Sequence, residues 1–208
     1  MSTTRLLLLG AVRIFQPVHG YLLRRELLSW QVQEWAHVNP GSIYSGLRTL
    51  AKQGLMEELP GEPVAYRLTP DGEVEYQRLL NQSLREPTWS DPTRLLGGLC
   101  FLTTLSRGEA LDALRARSLM LEAMVSGTSS AVRSVEQHRT APASTVELFR
   151  VAGHWLEGER VWVREVSDRI EAGSYRFAGD PGAPDHPVGG IWPPALLDPT
   201  EGEHVKLD

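Results

Sequence analysis

The sequence contains a single cysteine, Cys100, and no apolar stretch long enough to cross a membrane. One cysteine excludes a disulfide within the chain, so we expect an inert thiol and a reducing, cytoplasmic environment. The apolar run after Arg5 imitates a signal peptide only in part, because it is short and Arg13 interrupts it. No small-residue cleavage site follows, and we interpret the run as the first helix of the fold.

The sequence also lacks the patterns that mark most enzymes and metal sites. The six histidines are scattered, and none has a zinc-ligand spacing with Cys100 or with another histidine. No glycine-rich loop follows a strand in a way that would hold phosphate, and no motif places a serine, a histidine and an aspartate together. We therefore expect no enzymatic activity, no metal and no cofactor.

Charge is unevenly distributed along the 208 residues. The formal net charge is −5, yet residues 1–56 carry six Lys or Arg against two acids, and the remaining 152 residues carry a net −9. With 41% hydrophobic and 23% charged residues, the chain can form a packed core in one or two domains. A basic part that can approach phosphate, followed by an acidic part, suits a DNA-binding domain joined to a dimerisation domain.

Residues 39–54 are the most informative stretch, because they predict one helix with a defined start and end. Asn39 is a favoured N-cap residue, Pro40 suits the first helical position, and Gly54 supplies the left-handed residue that commonly ends a helix. Four apolar residues recur at helical spacing and predict the buried face: Ile43, Leu47, Leu50 and Ala51.

The opposite face of this helix carries hydroxyl and basic side chains and no acid. Its members are Ser42, Ser45, Arg48, Thr49 and Lys52. Hydroxyl groups near the N-terminus can reach base edges, and the later cations can reach phosphates, as in a recognition helix in the major groove. The alternative is an ordinary solvated face with two cations, which is the commoner case for an isolated helix.

The residues after this helix favour the recognition-helix interpretation. Residues 55–59 and 64–68 predict two short strands, and Pro60–Pro63 between them predicts a tight turn. Thr69 and Pro70 then begin another helix that extends to about Arg85. Three helices, a β-ribbon and a further helix make a winged helix-turn-helix, in which the ribbon is the wing. The predicted fold class is mainly α (α+β).

Residues 6–80 resemble the PadR family of bacterial transcriptional regulators. The ordered matches are the Leu-rich first helix ending in Gly10, the segment His19–Leu22, the block Pro40–Tyr44 with Leu47 and Leu50, the pair Gly54–Leu55, and Tyr66–Thr69 with Gly72. The resemblance implies DNA binding by a homodimer and, usually, repression. It also implies that the Tyr44 hydroxyl contacts the DNA backbone; the alternative is an aromatic residue at the edge of the core.

Cations outside the recognition helix are also candidates for DNA contact. The second helix of a helix-turn-helix crosses the phosphate backbone, so Arg24 and Arg25 are candidate phosphate contacts, with surface solubility as the alternative. The wing departs from the family pattern, since many relatives carry Arg or Lys at its tip. Here the tip contains Glu62, Glu57 and Glu58 precede it, and Arg67 is the only nearby cation. We therefore expect a weak wing contact.

The second part of the chain is predicted to be all-helical. We predict a winged domain at 1–86, a helical dimerisation and effector domain at 87–172, and an extended or disordered tail at 173–208. One helix is expected from Pro92 to about Leu105, and the capping boxes Ser106–Glu109 and Ser144–Glu147 each begin a long helix. The apolar stripes of the long helices cannot be buried within one hairpin, so a second copy should cover them. Such a dimer would read a pseudopalindromic operator with recognition helices about 34 Å apart.

Three tryptophans form a candidate effector pocket. Trp155 and Trp162 are one heptad apart, and Trp89 lies in the predicted boundary segment. Some members of the resembled family line an interfacial pocket with aromatic residues and bind flat hydrophobic compounds there. Ordinary interface packing is the alternative, because tryptophan is enriched in interfaces in any case.

Three functions remain compatible with these features. The first is a sequence-specific DNA-binding transcriptional regulator, a homodimeric repressor responding to a small ligand or another signal. The second is a winged-helix module for protein association without specific DNA binding, for which the acidic wing is the best argument. The third is a small-molecule-binding helical dimer with vestigial DNA binding. Salt dependence separates the first two, because phosphate contacts release counterions.

Overall fold

Residues 3–138 and 142–183 are described by a computed structural model, and they form two compact units. The first unit comprises residues 3–79 and the second comprises residues 80–183. The division falls after Leu79, within a helix that begins at Pro70. None of the helices in these ranges is both long and apolar enough to span a lipid bilayer.

The first unit has the winged helix-turn-helix architecture that the sequence predicts. Its elements in chain order are α1 (Thr3–Phe15), β1 (Val18–His19), α2 (Gly20–Ser29), α3 (Val32–Ala36), α4 (Pro40–Lys52), β2 (Met56–Leu59), β3 (Ala65–Leu68) and α5 (Pro70–Arg85). The strands form an antiparallel sheet in the order β1-β3-β2. The mainly α fold with a small sheet is therefore confirmed.

The core of this unit is built around α1, whose residues from Leu6 to Leu9 are all at most 1% exposed. Leu23 of α2 and the Ile43 and Leu47 side chains of α4 are fully buried with it. Because α4 is amphipathic, burial of this stripe directs its polar residues to solvent. Salt bridges also join α1 to α5, between Arg5 and Glu75 at 2.9 Å and between Arg13 and Glu73 at 2.8 Å.

Helix α4 ends close to the start of α5. Gly54 has a φ of +74°, the left-handed conformation that favours glycine after a helix. The Thr69 hydroxyl donates to the Gly54 carbonyl at 2.6 Å and accepts from the Gly72 amide at 3.1 Å, so Thr69 caps α5 as predicted. Gly72 is required there, because a Cβ would lie 1.9 Å from the Leu55 carbonyl oxygen.

Several local predictions for the first unit were wrong. Asn39 makes no side-chain cap to α4; its carbonyl instead accepts from the Ser42 amide and hydroxyl, at 2.9 and 2.6 Å. Three helices were predicted before the ribbon, but the described residues contain four, because the five-residue helix α3 was not predicted; nor was the two-residue strand β1.

The second unit contains α6 (Thr93–Leu99), a short 3-10 turn (Leu102–Thr104), α7 (Arg107–His138) and α8 (Thr145–Glu171). Helices α7 and α8 are antiparallel, since Arg107 contacts the Ile170 carbonyl at one end and Arg150 pairs with Glu136 at the other. The prediction of a single helix from Pro92 to Leu105 was wrong, because the helix is interrupted after Leu99. The adjacent Gly97 and Gly98, with low helix propensity, precede this break.

The first part of the predicted tail is anchored in the second unit. Phe177 is fully buried, and the Ala178 amide donates to the Thr103 and Leu105 carbonyls at 3.0 and 3.1 Å. Arg107 donates to the Asp180 carboxylate at 2.6 Å and lies over the Phe177 ring at 5.2 Å from its centroid. We call residues 173–183 the C-terminal strap. The rest of the predicted tail, residues 184–208, lies outside the described residues.

Candidate nucleic-acid interface and aromatic cavity

The polar face of α4 lies on the surface, as its sequence pattern predicts. Ser45, Arg48, Thr49 and Lys52 are exposed or partly exposed, and Ser42 is partly buried. The hydroxyls of Ser42, Ser45 and Thr49 each donate to a backbone carbonyl three or four residues earlier, at 2.6–3.1 Å. In this arrangement their oxygens still have lone pairs that can accept hydrogen bonds from base amino groups.

Helix α2 packs against α4 and adds two cations to the same unit. Gly20 at the start of α2 allows this packing, because a Cβ there would lie 3.1 Å from the Tyr44 ring. Arg24 is partly buried and Arg25 is exposed. Tyr44 is partly buried beside Gly20, and no described residue hydrogen-bonds to its hydroxyl. The ring therefore packs at the edge of the core, and the hydroxyl is available to a partner.

The cations of the first unit divide into two sets by their ion pairs. Among the described residues, no salt bridge is formed by Arg24, Arg25, Arg48 or Lys52. In contrast, Arg5 and Arg13 of α1 pair with α5 carboxylates, and Arg67 of β3 pairs with Glu57 at 2.5 Å. We call the surface of Arg24, Arg25 and the polar face of α4 the α2–α4 surface. Its positive charge is not neutralised locally, so it can attract phosphate.

The wing, β2–β3 with its connecting turn, is acidic, and its one cation, Arg67, is paired with Glu57. The hydrogen bond and charge of Glu57 raise the pKa of Arg67, so this cation is held in the ribbon. Across the sheet, Glu58 faces Tyr66. Burial and then the charge of Glu58 raise the pKa of Tyr66, and Arg48 opposes this change. Glu62 at the tip is exposed.

Two of the three predicted pocket tryptophans line one cavity in the second unit. This cavity of about 800 Å³ is bounded by the segment after α5, including Trp89, and by α8, including Trp155 and Glu159. Trp89 is 56% exposed and Trp155 is 59% exposed. Trp162, one heptad beyond Trp155, does not line this cavity and is partly buried.

Sequence reasoning missed two residues beside this cavity, Arg117 and Glu159. Arg117 is 2% exposed and donates to Glu159 at 2.5 Å, linking α7 to α8. The signal was present in α7, where the buried residues Ala110, Ala113, Leu114, Arg117 and Leu121 share one helical stripe. An arginine within an apolar stripe predicts a buried partner, since an isolated buried charge is costly.

Metal chemistry has no evident location in residues 3–138 and 142–183, where no three His, Cys, Asp or Glu side chains converge to hold an ion. Cys100 is partly buried, and burial raises the pKa of its thiol to about 12. A thiol with so high a pKa is almost entirely protonated near neutral pH, which makes it a poor nucleophile.

These features define the class: a winged helix-turn-helix protein with a helical second unit. The chain matches no protein-family model and no curated protein. Among solved structures it is similar to Bacillus subtilis PadR in complex with p-coumaric acid, with a TM-score of 0.36 and 19% identity over 81% of this chain and 99% of that chain. It is also similar to Bacillus subtilis PadR in complex with operator DNA, with a TM-score of 0.34 and 21% identity over 80% and 98%.

A third similar structure is a PadR-like transcriptional regulator from Bacillus cereus, with a TM-score of 0.34 and 17% identity over 82% of this chain and 99% of that chain. All three structures carry the family name to which the sequence motifs point. At these identities and TM-scores, the likeness gives no information about the site residues, ligands or partners of this chain.

Proposed function

We propose that this protein is a sequence-specific DNA-binding transcriptional regulator that acts as a homodimeric repressor. The observation that supports this proposal is the acid-free polar face of α4, which carries two of the four cations that form no ion pair among the described residues; the other two lie on α2, which packs against α4. Such a helix face matches the major groove, where hydroxyl groups reach base edges and cations reach phosphates.

Each candidate residue has a role in this proposal. Helix α4 enters the major groove, and its hydroxyl residues Ser42, Ser45 and Thr49 contact base edges. Arg48 and Lys52 bind phosphates along the groove, and Arg24 and Arg25 bind the backbone that α2 crosses. The Tyr44 hydroxyl donates to a further phosphate. Arg67 contributes little, because Glu57 already neutralises it.

The homodimer is supported by apolar side chains left on the surface of α8. Leu148 and Val151 are 67% and 41% exposed, and they lie three residues apart on one face. A monomer rarely leaves such neighbouring apolar side chains uncovered, and a second copy would bury them. Dimerisation would also supply the second recognition helix that a pseudopalindromic operator requires.

Ligand response is supported by the Trp89–Trp155 cavity. Its volume of about 800 Å³ falls in the range of small-molecule sites, about 300–1,000 Å³. Two indole rings suit a flat aromatic compound, which would act as the effector.

A winged-helix module for protein association is the second candidate function, and the acidic wing favours it. Glu57, Glu58 and Glu62 would oppose DNA phosphates, whereas a basic protein partner would tolerate them.

The experiment is fluorescence anisotropy of the full chain with DNA from upstream of its own gene, at low and moderate salt, with a scrambled duplex as control. We expect tight binding that prefers the native duplex and weakens steeply with salt. If the operator lies elsewhere in the genome, selection of bound sequences from random DNA should identify it. Failure to enrich any sequence, with salt-independent binding throughout, would contradict the regulator function and favour protein association.

A further inference from the structure

The Trp89–Trp155 cavity contains a carboxylate and no basic guanidinium or ammonium group. Among the described residues, those lining it include Trp89, Trp155, His154 and Glu159, and none is lysine or arginine. Trp155 and Glu159 are four residues apart on α8, so their side chains share one helix face. A bound molecule would therefore meet two indole rings and a negative group together.

Arg117, which does not itself line the cavity, holds Glu159 in position. Its Nε donates to Glu159 Oε1 at 2.5 Å, while its Nη1 donates to the Ser83 and Leu84 carbonyls at 3.0 and 3.3 Å. The second carboxylate oxygen, Oε2, accepts no hydrogen bond from any described residue. The Glu159 side chain is 22% exposed, so solvent or a ligand can reach it.

Arg117 donates hydrogen bonds to two backbone carbonyls as well as to Glu159. Ser83 and Leu84 lie in the last turn of α5, where the carbonyls carry the partial negative charge of the helix dipole. Arg117 therefore serves this helix end as well as the carboxylate. Glu159 Oε2 is left without a hydrogen-bond donor among the described residues, and none of the described lining residues supplies a second cation.

We propose that the cavity binds a small planar aromatic molecule that carries a protonated amine. The ring lies against Trp89 and Trp155, and the ammonium group donates to Glu159 Oε2. Indole faces attract cations, and a hydrogen bond between an ammonium and a carboxylate is strengthened by both charges. An aromatic carboxylate would be disfavoured, because it would place a second negative charge beside Glu159 without a cation to bind it. Arg117 is a positioning residue that orients Glu159.

Only the role of this molecule as an effector rests on the proposed function; binding to the cavity does not depend on DNA. The first experiment is isothermal titration calorimetry of the full wild-type chain with naphthylmethylammonium, naphthylmethanol and naphthylacetate. These probes share one ring system and differ in charge. We expect the ammonium to bind about tenfold more tightly than the alcohol, and the carboxylate about tenfold more weakly than the alcohol.

Matched variants assign this preference to named side chains. Trp155→Ala should abolish binding of all three probes, whereas Val161→Ala, on the same helix but outside the cavity, should not. Glu159→Gln should keep the affinity for the alcohol and lose the preference for the ammonium. Glu157→Gln is the control, since Glu157 pairs with Arg160 and does not line the cavity. Circular dichroism verifies that each variant is folded.

Three results would overturn the proposal. One is equal or tighter wild-type binding of the carboxylate, which needs no variant and so is independent of any folding defect in Glu159→Gln. Another is a folded Glu159→Gln variant that keeps the ammonium preference. The third is no binding of any probe together with a loss of dimer mass in Trp155→Ala, which would assign the cavity to a subunit contact. DNA anisotropy on the same samples tests the regulator function separately, so the two failures remain distinguishable.

Discussion

The α2–α4 surface and the wing belong to one compact unit and both are candidates for DNA contact, yet their cations differ in their ion pairs. Arg48 and Lys52 on α4 have no acidic partner among the described residues, whereas Arg67 on the wing is bound to Glu57. A cation that already has a carboxylate partner must lose it before it can neutralise a phosphate. The comparison teaches that the number of basic residues in a segment matters less than the number without acidic partners.

The largest effect is expected from removing both α4 cations. Arg48→Ala combined with Lys52→Ala should weaken DNA binding by about 2 kcal/mol, or roughly thirtyfold, and should reduce the salt slope by about two. Fluorescence anisotropy across a salt series measures both quantities. Arg67→Ala on the wing is the matched control and should change neither appreciably. An equal loss from Arg67→Ala would show that the wing cation contributes as much as the α4 pair.

A smaller effect is expected when a single arginine is replaced by alanine, and its kind should depend on whether that arginine forms an ion pair. Arg25→Ala should weaken DNA binding by about 1 kcal/mol and leave thermal stability unchanged, because Arg25 is exposed and has no ion pair in the described ranges. Arg13→Ala should lower thermal stability and leave DNA binding unchanged, since Arg13 pairs with Glu73 and lies over the Tyr76 ring at 5.2 Å. Anisotropy and thermal melting of both variants test this, and matching profiles would refute the distinction.

The wing can be made to resemble the α2–α4 surface by changing its acids. Glu62→Lys at the exposed tip should strengthen DNA binding by about 0.5 kcal/mol at low salt, and the gain should shrink as salt rises. Glu57→Gln, which releases Arg67, should have the same sign. Competition binding against the wild-type chain resolves so small a change. Unchanged affinity in both variants would place the wing away from DNA.

The smallest effect is expected at Glu75, whose carboxylate pairs with cations that lie outside the α2–α4 surface. Arg78 first, and Arg5 after it, lower the pKa of Glu75 below its ordinary 4.5, while partial burial opposes them. A lowered folded-state pKa stabilises the fold above the unfolded-state pKa, and this contribution disappears as pH falls through the folded-state value. Glu75→Gln should therefore cost about 0.5 kcal/mol at neutral pH and nothing in strong acid.

Urea unfolding of the wild type and Glu75→Gln over the acid range measures this difference. DNA affinity should not rise in the variant, because Arg5 lies on α1 and not on the α2–α4 surface. A stability difference that persists in strong acid would mean that Glu75 acts through packing and not through its charge.

Much of the fold could be predicted because its signals are local. The helix predicted between Asn39 and Gly54 is α4, and the two predicted long helices are α7 and α8, each of which begins one residue after the serine of its predicted capping box. The strand β1 could not be predicted, because two residues carry no periodicity and its partner β3 is more than forty positions away. Its pairing depends on the folded first unit rather than on its own sequence.

The two capping boxes show where local reasoning stops. Ser106 and Glu109 form the reciprocal bonds, with the Ser106 amide donating to the Glu109 carboxylate at 2.8 Å and the Glu109 amide to the Ser106 hydroxyl at 3.3 Å. Ser144, with the same spacing to Glu147, makes no side-chain cap, and Glu147 pairs with Arg150 instead. In α8 the carboxylate pairs with a cation about one turn later, and the cap is not formed.

The candidate sites were predicted in the same uneven way. Periodicity places the α4 residues on one exposed face, but it cannot show that Arg67 is paired while Arg48 is not. It places Trp155 and Trp162 one heptad apart, yet only Trp155 reaches the cavity that Trp89 lines. Ion pairs and cavities depend on residues distant in the chain, which a single sequence does not bring together.

The C-terminal strap has a practical consequence for anyone shortening this protein. A chain cut after Ala172 would retain every described helix of the second unit but would lose Phe177 and both bonds from Ala178 to the 3-10 turn region. The vacated apolar site would then be open to solvent, and Arg107 would lose the Asp180 carboxylate. A fragment that is to keep this packing must therefore include residues 173–183, eleven residues without regular secondary structure.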